Sequence, residues 1–95
     1  MQVSEATVVV QNKMGLHARP STQIATAASR YVCDVKVTKD GLSVDGKSVL
    51  ELLMLAAECG STLTVTAQGE DAEAAVQELS QLIENRFGEH DVDSA

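Results

Sequence analysis

The sequence predicts an α+β fold: a two-layer sandwich in which three helices cover one face of a four-stranded antiparallel sheet, in the order β-α-β-β-α-β-α. Three observations predict it. "CDVKVTK" and "STLTVTA" alternate apolar and polar residues, as strands buried on one face do. Between them, "KDGLSV" contains an Asp40-Gly41 pair suited to a tight hairpin. Three further stretches repeat apolar residues at helical spacing. Strands that alternate bury one face only, so the helices pack there and the other face meets solvent.

Each element has its own signal. Residues 6–10, "ATVVV", are a short β-branched run that reads as the first strand. Asn12 to Leu16 form a loop with Gly15 at its special-backbone position. From Ala18 to about Arg30, Ile24, Ala27, Ala28 and Tyr31 recur at helical spacing. Cys33, Val35 and Val37 then face inward on the second strand, and "LSV" returns after the hairpin. Ser48 with Glu51 three positions on makes a capping box for the second helix, and Gly60 is its expected left-handed stop. Met54 is expected in the core. Leu63, Val65 and Ala67 line the last strand. Asp71 is the expected cap of the final helix, whose stripe is Ala72, Val76, Leu79, Ile83 and Phe87. Residues 1–88 thus make one domain, and 89–95 form an acidic tail expected to fray, with His90 in it given no role.

Composition narrows the function. The 95 residues carry 44% hydrophobic residues and a formal net charge of −7, so one modest core is expected and a nucleic-acid partner is not. No apolar run is long enough to span a membrane, and the N-terminus lacks a signal peptide's basic and apolar regions, so a cytoplasmic protein is expected. Cys33 and Cys59 lack the spacing of a zinc or redox motif and read as reduced, mostly buried thiols. No cofactor or metal is expected.

Chemistry concentrates in "KMGLHARPSTQ". A helix beginning near Ala18 places His17 at its N-cap and Pro20 in its first turn, where a missing N–H costs nothing. The unpaired N–H groups of that turn and the Arg19 guanidinium favour an anion. Those positive neighbours favour a neutral ring, whose lone pair is nucleophilic and could accept a phosphoryl group. Geometry alone leaves a second reading, in which His17 is only an exposed polar residue at a helix end. Ser48 is likewise explained by its capping role. The second helix, with Val49, Leu50, Leu52, Leu53, Met54 and Leu55, is apolar around much of its circumference. Part of it must face outward, as interfaces do. Lys13, Arg19 and Lys47 fall in or beside these two segments and suggest a positive rim that steers acidic partners.

"GLHARP", Gly15 to Pro20, closely resembles the active-site motif of the HPr family, the histidine-containing phosphocarriers of the bacterial phosphoenolpyruvate-dependent phosphotransferase system. "GKSVLELLMLAA" resembles that family's regulatory-serine region, and the likeness runs over about residues 3–88. The resemblance implies an open-faced β-sandwich and a monomer. It implies that His17 is phosphorylated on Nδ1 by Enzyme I and that the group passes to an EIIA protein or domain. Arg19 then stabilises the phosphoryl group, Pro20 shapes the helix start, and Gly15 and Ala18 support the loop. Val49, Leu50 and Leu53 match positions that contact partners. Ser48 matches the site of HPr kinase/phosphorylase. A covalent relay of this kind is not a turnover enzyme. Ser21 and Thr22 stand where small apolar residues are frequent in the family. Two rivals remain: the nitrogen-branch paralogue, and a regulatory module acting through Ser48 alone, against which the intact His17 argues.

Overall fold

The computed structural model describes residues 2–88; the expected tail and His90 lie outside them. The chain runs β1 (Gln2–Val9), α1 (Ala18–Ser29), β2 (Asp34–Lys39), β3 (Leu42–Asp45), α2 (Val49–Met54), β4 (Thr62–Gly69) and α3 (Ala72–Glu84), then a 3-10 turn over Arg86–Gly88. The four strands form one antiparallel sheet in the order β1-β4-β2-β3. The predicted fold class and element order are the observed ones.

Register explains which face is buried. Ala6, Val65, Val37 and Val44 form one row across all four strands beneath the helices. One residue along, Thr7, Thr64, Thr38 and Ser43 form a row on the open face. There the Thr38 and Ser43 hydroxyls share a 2.6 Å hydrogen bond. Ile24 and Ala28 of α1, Leu52 of α2, and Ala75, Leu79 and Ile83 of α3 are fully buried against the inner row. Each large aliphatic side chain so buried contributes about 1.5–3 kcal/mol. The hairpin between β2 and β3 turns on Asp40 and Gly41, both at positive φ (50° and 85°), as an Asp-Gly turn requires.

Several sequence expectations are corrected. β1 starts at Gln2, well before Ala6, because β4 supplies a partner along its whole length. α2 stops at Met54, and the left-handed residue after it is Ala56 (φ 50°), not Gly60, which turns into β4. Lys39 helps end α2 there, its Nζ donating to the Leu55 carbonyl at 3.3 Å. Only half of the capping box forms: Ser48 Oγ accepts from the Glu51 amide at 3.2 Å, while the Glu51 carboxylate accepts from the Asp45 amide. Asp71 does not cap α3 with its side chain; its carboxylate accepts the Val32 and Cys33 amides, both at 3.0 Å, and ties α3 to the entrance of β2. Met54 is exposed, because the short helix turns only Leu52 fully inward. Cys59 is exposed and only Cys33 is buried. Phe87 does reach the core, but by way of the turn after α3, where Arg86 and Phe87 both have positive φ.

Candidate functional site at the mouth of α1

The chain from Val10 to Leu16 is clamped at both ends. Val10 exchanges 2.8 Å bonds with Ser61 and Gly60, and the Leu16 amide donates to the Ala57 carbonyl at 2.8 Å. Asn12, fully buried, donates from Nδ2 to the Gly15 carbonyl at 2.8 Å, and the Gly15 amide returns a bond to the Asn12 carbonyl at 3.1 Å. Gly15 has φ +68°, and a Cβ there would lie 2.4 Å from the Ala57 oxygen. Glycine is therefore required twice, for its backbone angle and for its missing side chain. Sequence reasoning gave Gly15 this role but passed over Asn12; an asparagine three positions before a turn glycine was the available signal.

This loop delivers His17, half-buried, to the N-cap of α1 with an extended backbone (φ −84°, ψ −169°). Its side chain makes no capping hydrogen bond to the helix. The first helical bond runs from the Ser21 amide to the His17 carbonyl at 3.1 Å. That leaves the Ala18 and Arg19 amides without a helical acceptor, while Pro20 has no amide to satisfy. Two donors and the positive end of the helix dipole thus sit at the mouth beside the imidazole. Arg19 is exposed, and among the described residues nothing bonds its guanidinium. Pro20 and Ser21 are buried, and Thr22 bonds back to the Ala18 carbonyl at 2.8 Å. The departures noted at 21 and 22 therefore point into the fold and along the helix, away from the mouth.

The structure joins α2 to this site at its exit end. Leu50, Leu53 and Met54 lie on one side of α2 and are 77%, 37% and 66% exposed; Met14, on the His17 loop itself, is 69% exposed. Met14 had no place in the sequence reading, since a lone methionine in a loop gives no periodic signal. Val49 is half-buried and packs against the core. Ser48 stands at the other end of α2, roughly 9 Å along its axis. Lys13 is exposed on the histidine's loop, but Lys47 is placed elsewhere: its Nζ donates to the Tyr31 carbonyl at 2.8 Å, beyond the C-terminus of α1. α1 is roughly 18 Å long, so the charge of Lys47 sits at the opposite end of that helix from His17.

A half-buried imidazole at a helix mouth, anion donors beside it and an exposed apolar surface adjoining it are features suited to a small carrier domain. Comparison with known proteins identifies which kind. The family described as PTS HPr component phosphorylation site matches residues 4–85. A phosphocarrier protein HPr from Cupriavidus necator is 46% identical over 78 residues, 82% of this chain and 88% of that protein. A phosphocarrier protein NPr from Shewanella violacea is 36% identical over 85 residues, 90% of this chain and 93% of that one. Among solved structures, HPr-C-His from Thermoanaerobacter tengcongensis superposes with a TM-score of 0.88 at 37% identity, over 92% of this chain and 98% of that one. The chain belongs to the HPr family of phosphocarrier proteins of the phosphotransferase system. No helix among the described residues is long and apolar enough to cross a membrane.

Proposed function

We propose that His17 is the phosphoryl acceptor of this carrier, taking the group from Enzyme I and passing it to EIIA proteins or domains. The observation that supports this most is the helix mouth, where the uncapped imidazole stands beside two unpaired amides and the free Arg19 guanidinium. A ring nitrogen lone pair, Nδ1 in this reading, attacks phosphorus; the N–P bond forms as the bond from phosphorus to the donor breaks, and the other nitrogen keeps its proton. The three new anionic oxygens are met by the amides of Ala18 and Arg19 and by the Arg19 side chain. Because the group is held at the surface by donors, and not enclosed, a second protein can remove it. Gly15, Ala18 and Pro20 shape the mouth. Lys13, Leu50 and Leu53 line the docking surface beside it, and Val49 supports that surface from below.

The experiment is phosphorylation with Enzyme I and phosphoenolpyruvate, read by intact mass and by the acid lability of the adduct. One acid-labile phosphate on the wild type and none on His17→Ala is the expected result. Unmodified wild type, with Enzyme I from the same organism, would overturn the assignment.

Ser48 carries a second, regulatory reading. It opens the helix that bears Leu50 and Leu53, so a phosphate there places about two negative charges on the docking surface. HPr kinase/phosphorylase is the proposed donor, slower transfer through His17 the consequence, and a monomer the acting form. Assay against EIIA proteins of the sugar branch and of the nitrogen branch decides which set of acceptors this carrier serves.

A further inference from the structure

The sheet has two open edges, β1 and β3. β1 is the long one: it pairs with β4 from Gln2 to Val9 on one side and, among the described residues, with no strand on the other. Between this free edge and α3 runs an open groove of ≈550 Å³. Ser4 and Ala6 of the strand and Val76 and Ser80 of the helix line it, with Glu73 and Glu84 beside them; the remaining lining is glutamine. Val76 is buried and Ala6 packs against the core, so the floor is small and apolar. The Ser80 hydroxyl is buried there without a hydrogen-bond partner. Glu73 lies in the first turn of α3 and Glu84 closes it, roughly 16 Å apart along the axis.

We propose that this groove docks an extended, basic segment of a partner protein, which adds to the free edge of β1 as a fifth strand. An open edge offers a row of backbone donors and acceptors that an extended peptide can pair with. Alternate side chains of the added strand then fall into the groove, where the small Ser4 and Ala6 leave room for them. Sixteen ångströms corresponds to roughly five extended residues, so cations on the groove-facing side near the two ends of such a segment meet Glu73 and Glu84. Charge selects against a second copy of this chain, whose own β1 bears Glu5 and no basic residue and whose net charge is −7. It also selects against residues 89–95, which bring Glu89, Asp91 and Asp93. α3 packs over β1 and β4, whereas α2 packs on the β3 side. A partner held in the groove therefore leaves His17 and the apolar face of α2 free.

The test uses the full chain and an acetylated, amidated octapeptide alternating valine and lysine, followed by amide chemical shifts and hydrogen exchange. Perturbed shifts confined to Gln2–Val9 and α3, slowed exchange of β1 amides, and unmoved signals for His17 and α2 are expected. Replacing the peptide's lysines by glutamates, or N-methylating alternate peptide bonds, abolishes binding. Glu73→Gln combined with Glu84→Gln weakens it about five- to tenfold while the thermal melt stays in place. Equal binding of the N-methylated peptide, spread over the acidic surface, would overturn the proposal, as would no binding at all. So would binding seen only after removal of residues 89–95, or self-association through the β1 edge without peptide.

Discussion

The Leu16 amide donates to the Ala57 carbonyl at 2.8 Å, and this bond ties the loop that carries His17 to the exit of α2. His17 and the apolar surface beside it are thus parts of one unit, joined where Gly15 passes against Ala57 and Glu58. A change at that junction moves both.

Gly15→Ala tests the junction. Its Cβ would meet the Ala57 oxygen at 2.4 Å, on a backbone already at φ +68°. The expected cost is about 2–4 kcal/mol, strain and overpacking together. Gly60→Ala is the control: its φ is +95° but nothing lies within 4 Å of the added methyl, so only the backbone term of about 1–2 kcal/mol applies. Urea denaturation of the two variants should separate them. Phosphoryl acceptance should fall further for Gly15→Ala, since Leu16 and His17 are displaced with the loop. Equal destabilisation would mean that the loop yields and that the junction is not rigid.

Arg19 should behave in the opposite way. Its guanidinium is exposed and bonds nothing among the described residues, so Arg19→Ala should leave stability within about 0.5 kcal/mol of wild type. Phosphoryl transfer should slow by about tenfold or more, because a planar donor set is lost from the charged product. Arg19→Lys restores the charge but not the fork, so partial rescue is expected. Rapid-quench kinetics with phosphorylated Enzyme I would measure both. Full rescue by lysine would reduce the role of Arg19 to charge alone.

At Ser48 the cap and the regulatory role separate by substitution. Ser48→Ala removes the acceptor of the Glu51 amide and should cost about 0.5–1 kcal/mol. Ser48→Asp keeps an acceptor and adds a charge favoured at a helix N-terminus, so its stability should match wild type. If a negative charge on this surface hinders docking, only the aspartate variant transfers slowly. Slow transfer in both variants would trace the effect to the helix end and not to charge.

The order of elements, the hairpin and the helix start at His17 were legible because each rests on contacts within a few residues: the alternation of Val35 and Val37, the Asp40-Gly41 pair, the position of Pro20. What was not legible depends on residues distant in sequence. β1 extends to Gln2 because β4 pairs with it, and its first five residues, with Val3 as their one large apolar side chain, give no run to read. Gly60 looked like the end of α2 because glycine favours positive φ, yet Lys39 and the clasp on Leu16 end the helix earlier and hold Ala56 in that conformation. Lys47 looked like part of a rim around His17, and only the packing of the strap after β3 against the end of α1 shows where its charge lies. Asp71 looked like a cap because it precedes a helix. Its partners, Val32 and Cys33, come from the other side of the molecule's sequence and could not be inferred from spacing.

That Asp71 tether carries a pH dependence. Desolvation pushes its carboxyl upward, but the Val32 and Cys33 amides and the Cys33 thiol, all donating to it, outweigh that and hold it below the usual aspartate value. A group depressed in the folded state contributes stability that is fully present above its unfolded value and is lost as pH falls through its folded value. Wild type should therefore lose stability on acidification below the ordinary carboxylate range. Asp71→Asn should be the less stable protein at neutral pH and should lose less on acidification, so the two curves converge in acid. Urea midpoints taken from neutral pH downward would show it, with the difference between the proteins cancelling the titration of the other carboxylates. Parallel curves would mean that the charge of Asp71 contributes nothing to the fold, and that Asp71→Asn loses only the one amide bond that its NH2 group cannot accept.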